Sequence, residues 1–255
     1  MRNRTQRLPL AALALGLLGA ALRALQMCLG FEPDTGLSIQ GSWLNLLVPV
    51  FLAAVILVML APIWSPGTAG MSFGRCFRPV SRRRGALLAA GAFLFLISGG
   101  LYFLRYMRGG GMVLDLVLGA FAACLTVSQL YALRRWREEG MLEGVFLLPP
   151  VVFFLLSLTA AYLAHGTFPV PARYSVEILA MAALAYGFYQ VAAAGYRQGA
   201  ARALCRGLGL GVSLGLTAAA TLADLAESLS MAAGALILLA YGFSLTKLNR
   251  SSVQE

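Results

Sequence analysis

Charge is what this sequence has least of. Only 12% of its 255 residues are Asp, Glu, Lys or Arg, while 60% are hydrophobic and mean hydropathy is +0.79. An ordinary soluble domain is about a quarter charged and about half apolar. A water-soluble fold of this composition is excluded, because its surface could not cover that much apolar area. Histidine is nearly missing: there is one, His165. Four cysteines (Cys28, Cys76, Cys124 and Cys205) fall in no C-x-x-C and read as packing residues. The sequence also lacks G-x-x-x-x-G-K-[ST] and H-E-x-x-H. Zinc, haem and nucleotide are disfavoured, and no cofactor is expected.

What is there is apolar and comes in runs. They cover about 8–29, 43–64, 86–105, 112–133, 146–165, 175–196, 203–223 and 229–246. Each is continuous rather than alternating, which indicates helices and not a membrane barrel. About 20 residues of helix cross the hydrocarbon layer. The expected fold is therefore all-α: a polytopic transmembrane bundle of about eight spans forming one integral membrane domain, with no room for a soluble one. The basic start at Arg2, Arg4 and Arg7 is like that of a signal peptide, but the run that follows is too long, so a retained first span is expected.

The formal net charge of +10 does not indicate nucleic acid, because the arginines lie between the runs and no basic face with interleaved aromatics is present. Instead they set orientation. One side collects Arg2, Arg4 and Arg7, then Arg75, Arg78, Arg82, Arg83 and Arg84, then Arg134, Arg135 and Arg137, then Arg197, Arg202 and Arg206, and finally Lys247 and Arg250. The other receives only Arg105, Arg108 and Arg173, with Arg23 inside the first run. Adding or removing one span would destroy this asymmetry, so both termini are expected on the cytoplasmic side. Trp43, Tyr102, Tyr106, Tyr162 and Tyr174 fit an outer aromatic belt, and Trp64, Tyr131, Trp136, Tyr196 and Tyr241 an inner one. The longest loop, 65–84, ends in Arg82, Arg83 and Arg84 and is expected to meet anionic phospholipid headgroups.

Small residues mark where helices approach closely in lipid. Gly207, Gly211, Gly215, Ala219 and Ala223 recur every four residues, as do Ala12, Gly16, Ala20 and Ala24. The Gly207/Gly211/Gly215 ridge suits packing within the bundle, or a dimer or accessory-subunit seam. Pro49 should kink the second span, whereas Pro149 and Pro150 fall in a first turn, where a missing donor matters less.

Two G-x-S-x-G stretches, around Ser72 and Ser213, match a hydrolase pattern. The bilayer separates Ser72 from His165, and Ser213 lies about 15 Å deeper than His165 by helix rise. Both matches read as accidents of a glycine-rich chain. The more informative residues are on the outer side. Glu32 and Asp34 lie in the first outer loop; Asp115, Glu177, Asp224 and Glu227 begin later spans; Arg23, Arg105, Arg108 and Arg173 oppose them. Ionisable groups at membrane depth are costly and often mark pathways. Arg23, Asp115, His165, Glu177, Asp224 and Glu227 form a candidate polar vestibule, which Gln129, Tyr186, Tyr189 and Gln190 could continue. The alternative is interfacial ion pairing, with Arg23 snorkelling upward or meeting Asp115, Glu177 or Asp224.

The outer loop Phe31-Glu32-Pro33-Asp34-Thr35-Gly36-Leu37, together with Tyr162-x-x-His165, Pro171-x-x-Tyr174-x-x-Glu177 and Tyr186-x-x-Tyr189, resembles a family of uncharacterised bacterial polytopic membrane proteins. The resemblance implies a bacterial cytoplasmic-membrane address and carries no catalytic or binding residue. Three functions remain open: a non-enzymatic membrane component or accessory subunit, a small-solute transporter or substrate-binding transport subunit, and a membrane-embedded enzyme.

Accessibility labelling of single cysteines in a cysteine-free background checks the alternation. Segments 65–84 and 31–41 should label from opposite sides of the membrane; labelling from one side alone would contradict the orientation.

Overall fold

A computed structural model describes residues 4–32, 37–39, 41–61, 77, 81–139, 144–165, 171–196, 200–221 and 224–245, without the side chains of 4–6, 137–139, 165 and 171–173. Within these residues eight α-helices follow one another: α1 (Arg4–Leu29), α2 (Leu44–Leu60), α3 (Arg82–Met107), α4 (Val113–Glu139), α5 (Leu148–His165), α6 (Pro171–Gly195), α7 (Ala201–Ala219) and α8 (Leu225–Ser244). A 3₁₀ turn, Gly144–Leu147, leads into α5. The only strand-like pairings among the described residues are two isolated bridges, Phe31 with Ser38 and Phe77 with Leu245.

Six of these helices are long and apolar enough to cross a membrane, not the eight expected. The two departures have separate causes. Helix α2 is apolar but has only 17 residues. It stops at Leu60 because Ala61 precedes a proline, which disfavours helical backbone there; Ala61 is extended, with ψ 141°. Helix α7 carries Arg202, Arg206, Ser213, Thr217 and several glycines, which dilute its apolarity. It packs against α1, α6 and α8, so protein surrounds it where lipid surrounds the outer helices.

Contacts at the two ends show how the helices run. At one end the Arg206 Nε donates to the Leu60 carbonyl (3.0 Å), joining the start of α7 to the finish of α2. A Cβ on Gly242 would stand 3.2 Å from Pro9, so the end of α8 meets the beginning of α1. There Trp136 stacks on Tyr241 with centroids 5.2 Å apart, and Phe77 meets both edge-on. At the opposite end Asn45 on α2 donates to the Gly30 carbonyl just beyond α1 (2.9 Å), and Arg105, near the end of α3, pairs with Asp115 on α4 and Asp224 before α8. Successive helices therefore alternate in direction, and α1 begins at the same end of the bundle where α8 finishes.

Glycines set the closest approaches. Cβ atoms on Gly207 and Gly215 would meet Gly187 (3.2 Å) and Gln190 (3.0 Å), and Leu184 (3.1 Å) and Ala235 (3.2 Å), while one on Gly211 would collide with Leu238. The ridge is thus filled by α6 and α8 of the same chain. A second crossing went unnoticed in the sequence: Gly99 of α3 and Gly119 of α4 face each other, with a Gly119 Cβ 3.0 Å from the Gly99 carbonyl oxygen.

Packing also corrects the aromatic belts. Tyr102, Trp136 and Tyr241 are fully buried core residues, whereas Trp43, Tyr131, Tyr162 and Tyr196 remain exposed. Of the three cysteines among the described residues, Cys28 and Cys124 lie on the exposed surface and Cys205 packs inside. The outward faces carry Leu17, Leu46, Leu57, Phe93, Val127 and Leu163, an apolar exterior suited to lipid. Pro49 is the sixth residue of α2, where it removes the helical donor to the Asn45 carbonyl.

Replacing Gly187 by Ala should cost about 1–3 kcal/mol, because the added methyl would meet the Gly207 carbonyl oxygen at 2.9 Å. Gly100→Ala, with open space around it, should be neutral or stabilising by up to about 1 kcal/mol. Unfolding in detergent compares the two.

Candidate functional site

The turn 108–112, with Gly109 at φ 73°, folds α4 back along α3 and brings Arg105 level with Asp115. The Asp115 carboxylate accepts from the Met112 backbone N–H through Oδ2 (2.8 Å) and from Arg105 through Oδ1. Asp224 plays the same part for α8. As the N-cap residue, its Oδ1 accepts from the N–H groups of Ala226 (2.8 Å) and Glu227 (3.4 Å), and its Oδ2 takes the other Arg105 nitrogen. Short polar side chains at this position satisfy helix donors that otherwise have no partner. The Arg105 guanidinium lies 5.2 Å from the centre of the Tyr102 ring. One arginine thereby joins two helix starts to the end of a third.

Beside this triad is a cavity of about 440 Å³, lined by Arg105, Gly110, Met112, Asp115, Ala160, Ala164, Tyr174, Glu177, Asp224 and Glu227. It brings together Asp115, Glu177, Asp224 and Glu227 from the predicted vestibule, with Arg105 the one cation among the described residues that line it. Glu177 is 5% exposed and Asp115 2%. When ionised, the carboxylates among the described lining residues outnumber their guanidinium by three. Among the described residues no group of three or more His, Cys, Asp or Glu is placed to hold a metal ion, so the wall is acidic without converging on one point. Such a cavity suits a ligand that presents positive charge over several atoms.

Arg23 is elsewhere. It is 0% exposed and donates to Gln26 Oε1 (2.6 Å) and, at longer range, to Thr221 Oγ1 (3.4 Å). Gln26 passes the chain to Asn45 (3.1 Å), which donates to the Gly30 carbonyl. Arg23 therefore does not snorkel; it is held inside, where α1, α2 and α7 meet. A smaller cavity of about 220 Å³ adjoins Gln26 and is otherwise lined by Val48, Pro49, Leu52, Ala53, Ile56, Ser175, Val176 and Leu179. The side chains of His165 and Arg173, and residue Asp34, lie outside the described residues, as do Ser72 and Pro33.

The vestibule does not continue along the predicted polar path. Tyr186 and Tyr189 are exposed on the outside of α6. Gln129 is buried against the Phe146 carbonyl (3.4 Å), and Gln190 packs on Gly207. Deeper along α3, α5 and α6 come Tyr102, Phe95, Phe153, Phe154 and Phe188, all fully buried and in mutual ring contact at 5.3–6.5 Å. None of these rings lines the cavity itself; they pack the interior deeper along the same helices. Ser213, the centre of the second G-x-S-x-G, donates to the Gly209 carbonyl (2.8 Å) on its own helix, a bond that keeps the hydroxyl inside the helix groove. Arg82 and Arg83 are exposed and Arg84 half-buried at the start of α3, at the other end of the bundle.

Sequence reasoning underrated Arg105, which it treated as one of three outer basic residues. The signal was present: Arg105 and Asp115 bracket a glycine-rich turn, so a helical hairpin must bring them together. Gln26 and Asn45 were missed because neither carries charge. Compared with known proteins, the chain matches no family model, no curated protein and no solved structure.

Both arginines are testable. Arg23→Leu leaves Gln26 and Thr221 without their donor in the interior and should sharply reduce the amount of folded protein recovered. Arg105→Leu should cost about 2 kcal/mol, less than the 3–5 kcal/mol of a fully buried pair, since the Arg105 and Asp224 side chains are 33% and 28% exposed. Detergent melting curves of the two variants check the order.

Proposed function

We propose that this protein is a non-enzymatic, multi-pass component of a bacterial cytoplasmic membrane that receives a small cationic solute in an outward-facing vestibule. One observation carries the reading: a cavity of about 440 Å³ whose described lining residues include four carboxylates and one guanidinium. It lies at the bundle end opposite the arginine-rich segments. In this reading all eight helices span, α2 and α7 included, and both termini are cytoplasmic; the alternation of the helices and the distribution of arginine support it. Arg82, Arg83 and Arg84 would then meet anionic headgroups on the cytoplasmic face.

The aromatic layer beneath the vestibule favours reception of a solute over its free passage. A conduit needs polar groups along its length, and among the described residues the ring level carries few: Ser98, whose hydroxyl donates to the Ala226 carbonyl, Ser157 and the Tyr102 hydroxyl. The chain would act as a solute-binding or accessory subunit, or as a transporter whose other state parts these rings.

Ethanolamine and acetate serve as probes of opposite charge. Titrated calorimetrically into the protein in lipid nanodiscs, ethanolamine should bind, with affinity falling as salt rises, and acetate should not. The double variant Glu177→Gln/Glu227→Gln should weaken ethanolamine at least about tenfold, a loss of about 1.4 kcal/mol. Equal binding of both probes, or an unchanged double variant, would refute the assignment.

A further inference from the structure

A second cavity of about 440 Å³ adjoins the vestibule and shares Arg105, Gly110 and Asp224 with it. Its other walls are Leu101, Leu104, Arg108, Leu225 and Ala226, so it runs between α3 and α8 on the outside of the bundle. Leu104 and Leu225 are about half exposed there, at 48% and 56%. Leu101, Leu104, Arg105 and Arg108 recur at spacings of three, one and three, which places them on one helical face. From Leu101 to Arg108 that face rises about 10 Å. It is apolar at depth and cationic at the end of the bundle.

This is the polarity profile of a phospholipid lying against a helix. The acidic vestibule starts where the two arginines stand, on the far side of Arg105. Two nitrogens of Arg105 are committed to Asp115 and Asp224, but its Nε is buried and has no hydrogen-bond partner among the described residues. A guanidinium has five N–H donors, so the two ion pairs leave Arg105 further N–H groups on a side chain that is 33% exposed, and the exposed Arg108 follows three residues later on the same face.

We infer that the ligand of the vestibule is an amine-headed phospholipid of the surrounding leaflet: its acyl chains lie along Leu101, Leu104 and Leu225, its phosphate meets Arg105 and Arg108, and its primary ammonium enters among Asp115, Glu177, Asp224 and Glu227. The inference rests on the vestibule reading above and names the class of molecule that fills it. Charge complementarity selects this occupant. A lipid with an anionic head and no amine would present only negative charge to four carboxylates. A choline head has the positive charge but no N–H to donate, and charge-assisted hydrogen bonds to carboxylate are the stronger kind. A water-soluble amine would leave the leucine face unused.

Native mass spectrometry of the protein released from mixed-lipid nanodiscs provides the test, with phosphatidylethanolamine, phosphatidylcholine and phosphatidylglycerol offered in equal amounts. The wild-type protein should retain the ethanolamine lipid about tenfold over either competitor. Arg108→Gln and Leu225→Trp alter exposed residues outside the vestibule wall, one removing a phosphate partner and the other filling the groove. Both should abolish the lipid preference while calorimetric binding of free ethanolamine stays within about twofold. Glu177→Gln/Glu227→Gln should lose both. If free ethanolamine binds and no lipid is preferred, or the glycerol lipid is preferred, the lipid assignment falls and the cationic vestibule stands. If free ethanolamine does not bind, both fall.

Discussion

A guanidinium inside an apolar bundle has to bring its hydrogen-bond partners with it, and that constraint organises one whole end of this protein. Two arginines are used there, each holding three helices. Arg105 links the end of α3 to the starts of α4 and α8 through Asp115 and Asp224. Arg23 links α1 to α2 and α7 through Gln26, Asn45 and Thr221. Both aspartates also accept from backbone N–H groups at helix beginnings, so the carboxylates that neutralise Arg105 are fixed by the backbone as well. Lipid offers no hydrophobic drive to bring helices together; polar clusters of this kind, with glycine contacts deeper in, do so instead.

The two clusters differ in what they leave over. Around Arg23 each polar group hands its bond to the next in a compact chain. Around Arg105 the described carboxylates outnumber the guanidinium and line a cavity. The one cluster is filled by its own hydrogen bonds, and the other leaves space beside it.

Much of the architecture was legible in the sequence because lipid imposes simple rules. The apolar runs coincide with the helices to within a few residues; α3 and α4 extend beyond their runs through Arg82–Arg84 and Arg134–Glu139, because arginine and glutamate are good helix formers although not apolar. Asp115, Glu177, Asp224 and Glu227 were legible as one group because they begin alternate helices and so share one end. Arg23 was misplaced for a physical reason: depth along a helix can be counted, but the direction a side chain takes around it depends on neighbours far away in sequence, such as Thr221. Tyr102, Trp136 and Tyr241 were misread alike, since an amphipathic ring near a helix end suits either the lipid interface or the core. Helix α7 would pass for a weak span by composition, yet its enclosure by three neighbours is why it tolerates so many small and polar residues.

The packed rings of Phe95, Phe153, Phe154, Phe188 and Tyr102 have a bioenergetic meaning. A membrane that stores energy as a difference in proton concentration is discharged by any continuous file of water. An acidic hollow sunk into one face would be the start of such a file if wet groups lay beneath it. Fully buried rings at that level take up space that water would otherwise fill beneath the carboxylates at one end of the bundle.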